Sequence, residues 1–302
     1  MPRIIRLHKT SQRGLRQTNE DVEKVKLNLD TNGNAINKKY APIDFFVICD
    51  GHGGDKVSNY VAPALKKHFM NPKIKYPLTD NFVSKIFSYI QHEIIQHPEQ
   101  IASYCGSTAL ALIRYLDHFK QENIQIINSG DCRAVLSRKG LAIPLTKDHK
   151  PSWPDERKRI NIVNKNNRNN IKEVHFDAGD WRVGDLSVSR SFGDLDNTPH
   201  VTHEPESFHC ILQPDDEFII MACDGLWDNV QNHEAVNFIR DHLNNSGLEL
   251  YQLTYQFHGK ILIYPSDEVK NTNNIARKLA SYAIAKGSND NVSILIIFLK
   301  NY

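Results

Sequence analysis

The chain is short of the features that would place it in several large classes. Its five cysteines (Cys49, Cys105, Cys132, Cys210 and Cys223) form no CxxC pair and no regular framework, which argues against a zinc knuckle, a redox dithiol and a disulfide scaffold. Reduced thiols are expected, in a cytoplasmic setting or, as the alternative, a nuclear one. Net charge is equally scarce. Against 37 Lys and Arg stand 35 Asp and Glu, leaving +2, which gives no case for nucleic-acid binding. No apolar run reaches the roughly 18 residues of a membrane span, so no membrane association is expected. The basic opening MPRIIRLHKTSQRGLR lacks the apolar core of a secretory signal and reads as a first strand running into the site. No Pro-, Gly- or Ser-rich linker divides the chain, so residues 1–302 are expected to form a single domain.

What is present is an ordinary supply of core-forming residues, 40% hydrophobic against 24% charged. Apolar runs bounded by turn residues predict strands over 43–50, 106–116, 123–129, 132–138, 216–223 and 291–299. NSGDCR (128–133) leaves so short a turn that an antiparallel hairpin is expected there. Helical spacing appears over 55–69 and over 79–95, where Phe82, Ile86, Tyr89, Ile90 and Ile94 form the expected face behind a Thr79 cap. A third helix is read over 272–287, ending at Gly287. The Asn- and Lys-rich stretch 161–175 reads as a mobile surface loop. Helices come in blocks between runs of strands, which points to antiparallel sheets packed face to face with helices outside.

The chemistry collects where apolar segments end. Glu20 and Asp21 stand in RQTNED, Asp50 and His52 in CDGHGG, Asp131 in NSGDCR, Asp194 in SRSFGD, Asp224 and Asp228 in CDGLWD, and Asp290 in SNDN. One strand-end Asp is a turn former. So many carboxylates repel one another if they meet, unless cations compensate. All are oxygen donors without clustered Cys or paired His, a set suited to Mg²⁺ or Mn²⁺ rather than zinc. Two such ions about 3.5–4 Å apart can activate a water and neutralise an in-line phosphoryl displacement.

RQTNED, DGHGG, GSTA (106–109), NSGDCRAV, KDHKPSWPDERKRI, LSVSRSFGDLD, HEPE (203–206), CDGLWDNV and SNDNVS follow one another in an order that resembles the type 2C protein phosphatases, the metal-dependent Ser/Thr phosphatases. The resemblance runs from about Arg13 to Leu299. It implies an α+β fold, a four-layer αββα sandwich of two antiparallel sheets flanked by helices. It also implies two Mn²⁺ or Mg²⁺ ions, bridged by Asp50, with the Gly51 carbonyl and Glu20 on one and Asp224 and Asp290 on the other. Asp131 would recruit a third, weaker ion. A metal-bridging water or hydroxide would attack the phosphorus of phosphoserine or phosphothreonine. Arg16 would bind the phosphate and His52 would act as general acid, with catalysis resting on His52, Arg16 and Asp50. Asp21, Asp194 and Asp228 are read as supporting those ligands or as structural. The partners implied are phosphoserine and phosphothreonine proteins, and a monomer is expected. The chain departs from the family after ERKRI, where Asn161, Ile162 and Val163 open an Asn-rich segment inside a flap-like insert spanning roughly 150–185. The alternative reading is a catalytically silent phosphoprotein-binding pseudophosphatase, set against it by the presence of Arg16, Glu20, Asp50, Asp224 and Asp290.

Overall fold

Strand Asp44–Cys49 is buried on both faces, and its alternation lays out the layers of the molecule. Side chains of a strand point to opposite faces in turn. Phe45, Val47 and Cys49 pack with Val57, Val61, Leu65, Val83 and Phe87 of two outer helices. Phe46 and Ile48 turn the other way, into a core shared with Ala134, Leu136, Ile219, Met221, Leu295 and Ile297 of a second sheet. In that sheet Phe218, Ile220, Ile294 and Ile296 in turn face Val236, Ile239, Leu279 and Ala283 of helices on the far side. Three apolar clusters therefore separate four layers, the αββα sandwich expected from the sequence.

The computed structural model describes residues 5–167, 169–244, 253–257, 260–264 and 273–300. One five-stranded antiparallel sheet has the order β13 (Glu206–Ile211), β7 (Glu122–Ser129), β6 (Ala109–Leu116), β3 (Asp44–Cys49), β2 (Val22–Lys26). The other has the order β1 (Arg6–Gln12), β17 (Val292–Phe298), β14 (Asp216–Ala222), β8 (Arg133–Arg138), β9 (Leu141–Pro144). Helices α1 (Lys56–Phe69) and α2 (Asp80–Ile95) cover the first sheet. Below the second lie the short α4 (Asp224–Trp227), α5 (Asn232–Asn244) and α6 (Ile275–Ala285). A small sheet of β12 (Phe192–Gly193), β5 (Gly106–Ser107) and β4 (Gly51–His52) caps one end. Two hairpins, β10 (Val174–Asp177) with β11 (Asp180–Val183) and β15 (Leu253–Phe257) with β16 (Lys260–Tyr264), complete the described strands. No helix among the described residues is long and apolar enough to cross a membrane.

Four expectations need correcting. NSGDCR is not a hairpin: β7 pairs with β6 and β13, whereas β8 pairs with β14 and β9. The link crosses from one sheet to the other, because Ile126 and Leu136 both serve the core between them. The run 106–116 breaks at Thr108, since Gly106 and Ser107 pair with the small sheet instead. On α2 the buried face is Val83, Phe87, Ile90 and Ile94, with Tyr89 exposed. Thr79 does cap it, accepting from Phe82 N. The stretch read as a loop from 161 continues a helix, α3 (Pro154–Asn166), which opens on a proline with Asp155 and Glu156 in its first turn. Ile160 supplies its buried contact, so one apolar residue and good end chemistry suffice where periodicity is weak. Thr272, the expected start of the last helix, lies outside the described residues; that helix is capped by Asn274, whose side chain accepts from Arg277 N.

Candidate active site

Strand ends and the links between them carry the site residues. β3 delivers Asp50 and β14 delivers Asp224, while the crossing after β7 delivers Asp131 and the segment before β17 delivers Asp290. Pairings of Gln12 with Val292, Ala222 with Arg133 and Val22 with Cys49 put all of these ends on one side of the sandwich. Asp21, Asp50 and Cys223 bring potential ligand atoms within 4.8 Å of one another. Asp21 is buried, and neither of its carboxylate oxygens has a hydrogen-bond partner among the described residues. Burial above all pushes its pKa up to about 6. Asp50 and Asp224 are held well above the usual carboxylate range, first by burial and then by repulsion from the neighbouring acids. One amine answers several of these charges: Lys150 Nζ lies 2.5 Å from Asp131 and 3.9 Å from both Asp224 and Asp180.

The chain before β2 is fastened by Asn291. Its side-chain amide donates to the Arg13 and Thr18 carbonyls at 2.8 and 2.9 Å, and its Oδ1 accepts from Glu20 N at 2.9 Å. Glu20 then accepts from Gly54 N and Thr18 Oγ1, both at 3.0 Å, so its carboxylate ties the DGHGG loop in place. Gly51 lies against this segment; a Cβ there would stand 2.5 Å from the Glu20 carbonyl. Arg16 donates from Nη2 to Asp290 at 2.7 Å and is otherwise largely exposed.

His52 projects from β4 to Asp194, with Nε2 at 2.8 and 3.0 Å from the two carboxylate oxygens. Ser191 donates to the same carboxylate. Burial lowers the imidazole pKa, but the Asp194 hydrogen bond and charge outweigh it, leaving it raised overall. The pair touches because residue 106 has no side chain: a Cβ there would fall 2.2 Å from His52 Nε2 and 2.1 Å from Asp194 Oδ2. Asp194, read as supporting or structural, thus has a definite position, orienting the imidazole. Asp228 lies in the same acidic neighbourhood, its pKa raised by burial and by Asp131, with Lys150 opposing.

Sequence reasoning missed Asn291, Lys150 and the His52–Asp194 pairing. Each depends on contacts with residues far away in the chain, 142 positions for His52 and Asp194 and 271 for Glu20 and Asn291. The second Asn of SNDN was the available signal for Asn291.

A crowd of buried carboxylates with orphaned oxygens and one resident ammonium suits hard divalent cations. The protein phosphatase 2C family model matches residues 5–292, and the chain belongs to that family. It is similar to a PP2C-like domain-containing protein of Acanthamoeba polyphaga mimivirus, with 63% identity over 61% of this chain and 98% of that one. Probable protein phosphatase 2C 7 of Oryza sativa subsp. japonica is 35% identical over 84% of this chain and 57% of its own length. The protein kinase and PP2C-like domain-containing protein of the same plant is 33% identical, and only 35% of its length is covered. Both rice proteins thus extend well beyond the shared region. Among solved structures, a serine-threonine phosphatase 2C from Toxoplasma gondii superposes with a TM-score of 0.69 at 19% identity, covering 99% of this chain and 98% of that one. A C. elegans sex determining protein gives 0.75 at 22% identity, covering 98% of this chain and 65% of that one. These two likenesses establish the fold.

Proposed function

We propose that the protein hydrolyses phosphoserine and phosphothreonine esters in other proteins, using two Mn²⁺ or Mg²⁺ ions. Family membership supports the reaction class, and the buried carboxylates that outnumber their cations at one end of the sandwich are the observation that carries the reading. Asp50, Asp224, Asp290, Glu20 and the Gly51 carbonyl would hold the ions, with Asp131 available to a third and Asp21 behind Asp50. When bound, such ions supply an acidified water and neutralise charge on the phosphate.

The chain's own residues supply the rest. A guanidinium has five N–H donors and stays charged. Arg16 engages Asp290 through one nitrogen, which leaves donors for two phosphate oxygens. Asp194 holds His52 through Nε2, so Nδ1 is the nitrogen whose proton would pass to the departing serine or threonine oxygen. A carboxylate that raises the imidazole pKa keeps that proton available near neutrality. No side-chain nucleophile is called for, and the buried thiols of Cys49 and Cys223 are pushed far above their usual pKa by burial.

The test is turnover of a phosphothreonine peptide by purified protein with Mn²⁺, Mg²⁺ or EDTA. Metal-dependent release of phosphate is expected. Binding of the peptide without turnover in either metal would replace this reading with the pseudophosphatase one.

A further inference from the structure

A second surface lies at the other end of α1 from the site. The chain has no acidic residue between Asp30 and Asp44, nor between Asp55 and Asp80. The fold brings these two acid-free segments together: Ala41 N donates to the Met70 carbonyl at 2.9 Å. Between them opens a cleft of about 480 Å³ lined by Lys39, Tyr40, Pro63, Lys66, Lys67 and Met70. Lys26 reaches over the Tyr40 ring, its ammonium 5.5 Å from the centroid. Lys38, Lys73 and Lys75 are exposed on the same two segments. None of these lysines is ion-paired with an acid among the described residues.

Lysines at the end of a helix suit its dipole, which accounts for Lys66 and Lys67 but not for the others or for the concavity. In a chain of net charge +2, such a concentration of ammonium groups without acidic neighbours in their own segments makes a local positive field. The shape decides which anion fits. The depression is shallow and open, and its aromatic and proline-bearing rim beside the lysines suits a single extended acidic chain. The cleft is also connected to the site. Lys56, Asn59, Pro63 and Lys67 form the exposed stripe of α1, whose first residue follows the DGHGG loop. Its 14 residues span about 21 Å, a distance bridged by roughly six or seven residues of extended peptide.

We propose that this cleft is a docking site for an acidic, extended segment of the phosphoprotein substrate, lying about seven residues from the phosphorylated side chain. The proposal rests on the phosphatase reading for what occupies the site, but not for the binding itself. Tethering through the cleft would raise the local concentration of the phosphoester at the site, lowering KM and leaving kcat alone.

The experiment has two arms, each comparing the full chain with its Lys39→Glu/Lys66→Glu/Lys67→Glu variant. Circular dichroism checks folding, and Lys67→Glu alone serves if the triple variant is misfolded. In the first arm, a fluorescein-labelled, unphosphorylated Glu-rich 12-residue peptide is titrated and its anisotropy read. Expected are saturable, salt-sensitive binding to the native chain and about tenfold weaker binding to the triple variant. In the second arm, turnover is measured on two phosphothreonine peptides, one with a Glu run seven residues from the phosphate and one with Gly-Ser in its place. KM should rise about tenfold for the acidic peptide only, with kcat unchanged. Equal affinity of the two proteins, or no binding of the acidic peptide, would overturn the proposal. So would co-sedimentation with phosphatidylserine vesicles in the absence of peptide binding. Failure to turn over either peptide would instead count against the phosphatase reading, while the anisotropy arm still decides the docking site.

Discussion

Strands β3 and β14, one from each sheet, carry an acid at both ends, and the two ends treat their acids differently. β3 begins at Asp44 and leads to Asp50; β14 begins at Asp216 and leads to Asp224. At the starting end Asp44 and Asp216, with their neighbours Glu122 and Glu217, meet arginines. Arg114 donates to Asp44 at 2.6 Å and also to Glu122, and all three are largely buried. Arg138 holds Asp216 at 2.6 Å, and Arg240 lies 3.5 Å from Glu217. At the other end Asp21 and Asp50 crowd together, and the amine of Lys150 lies against Asp131 and 3.9 Å from Asp224. Buried charge is costly unless paired. One end therefore carries its own counter-charges, whereas burial and mutual repulsion hold the acids of the other well above their usual range.

Substitutions at either end separate the two kinds of acid. The largest effect is expected at the site, where Asp50→Asn should lower phosphopeptide turnover by roughly a hundredfold or more, measured at saturating Mn²⁺. At the opposite end, Arg114→Met should leave two buried carboxylates without their cation and destabilise the fold by about 3–5 kcal/mol, read by urea unfolding. Turnover of the molecules still folded should be preserved. Next, His52→Ala should slow hydrolysis of a phosphothreonine peptide by about a hundredfold. Hydrolysis of p-nitrophenyl phosphate should slow much less, because nitrophenolate leaves without a proton; equal losses would remove His52 as the acid.

The smallest effect concerns an acid of the arginine-paired kind on α3. Glu156 accepts from Arg159 at 2.9 Å and Arg190 at 2.6 Å. Burial raises its pKa, but the two guanidiniums outweigh this and bring it to about 2, from an ordinary 4.5. A depressed native pKa stabilises the fold above the unfolded value and loses that contribution as the pH falls through the native one. Between pH 4.5 and about 2 the native protein should lose about 2–3 kcal/mol that Glu156→Gln does not lose. Parallel acid-unfolding curves for the two proteins would contradict the pairing.

The contrast also explains what the sequence could reveal. Asp50 and Asp224 stand out because each ends an apolar run and is followed by glycine, a pattern local enough to read. Their convergence is not local, and it was inferred from a resemblance that the family match upholds. The arginines of the opposite end went unnoticed, since Arg114 sits inside an apolar strand with nothing nearby to mark it as the partner of Asp44, 70 positions away. The crossing from sheet to sheet at 130–132 looks like a hairpin in the sequence, because turn length cannot say which neighbour a strand pairs with. Helix α3 is hidden by its composition: Asn161, Asn166, Lys158 and Lys165 are exposed, and Ile160 and Glu156 are its only buried residues.

The most direct measurement is the free energy of urea unfolding for the native protein and Asp50→Asn, each with EDTA and with Mn²⁺. With EDTA, removing one of the mutually repelling carboxylates should make Asp50→Asn the more stable of the two. With Mn²⁺ the order should reverse, because the native site gains more from the ions it is built to hold. If Asp50→Asn is the less stable protein under both conditions, or Mn²⁺ stabilises the two equally, the acidic end is not a cation site and the comparison fails.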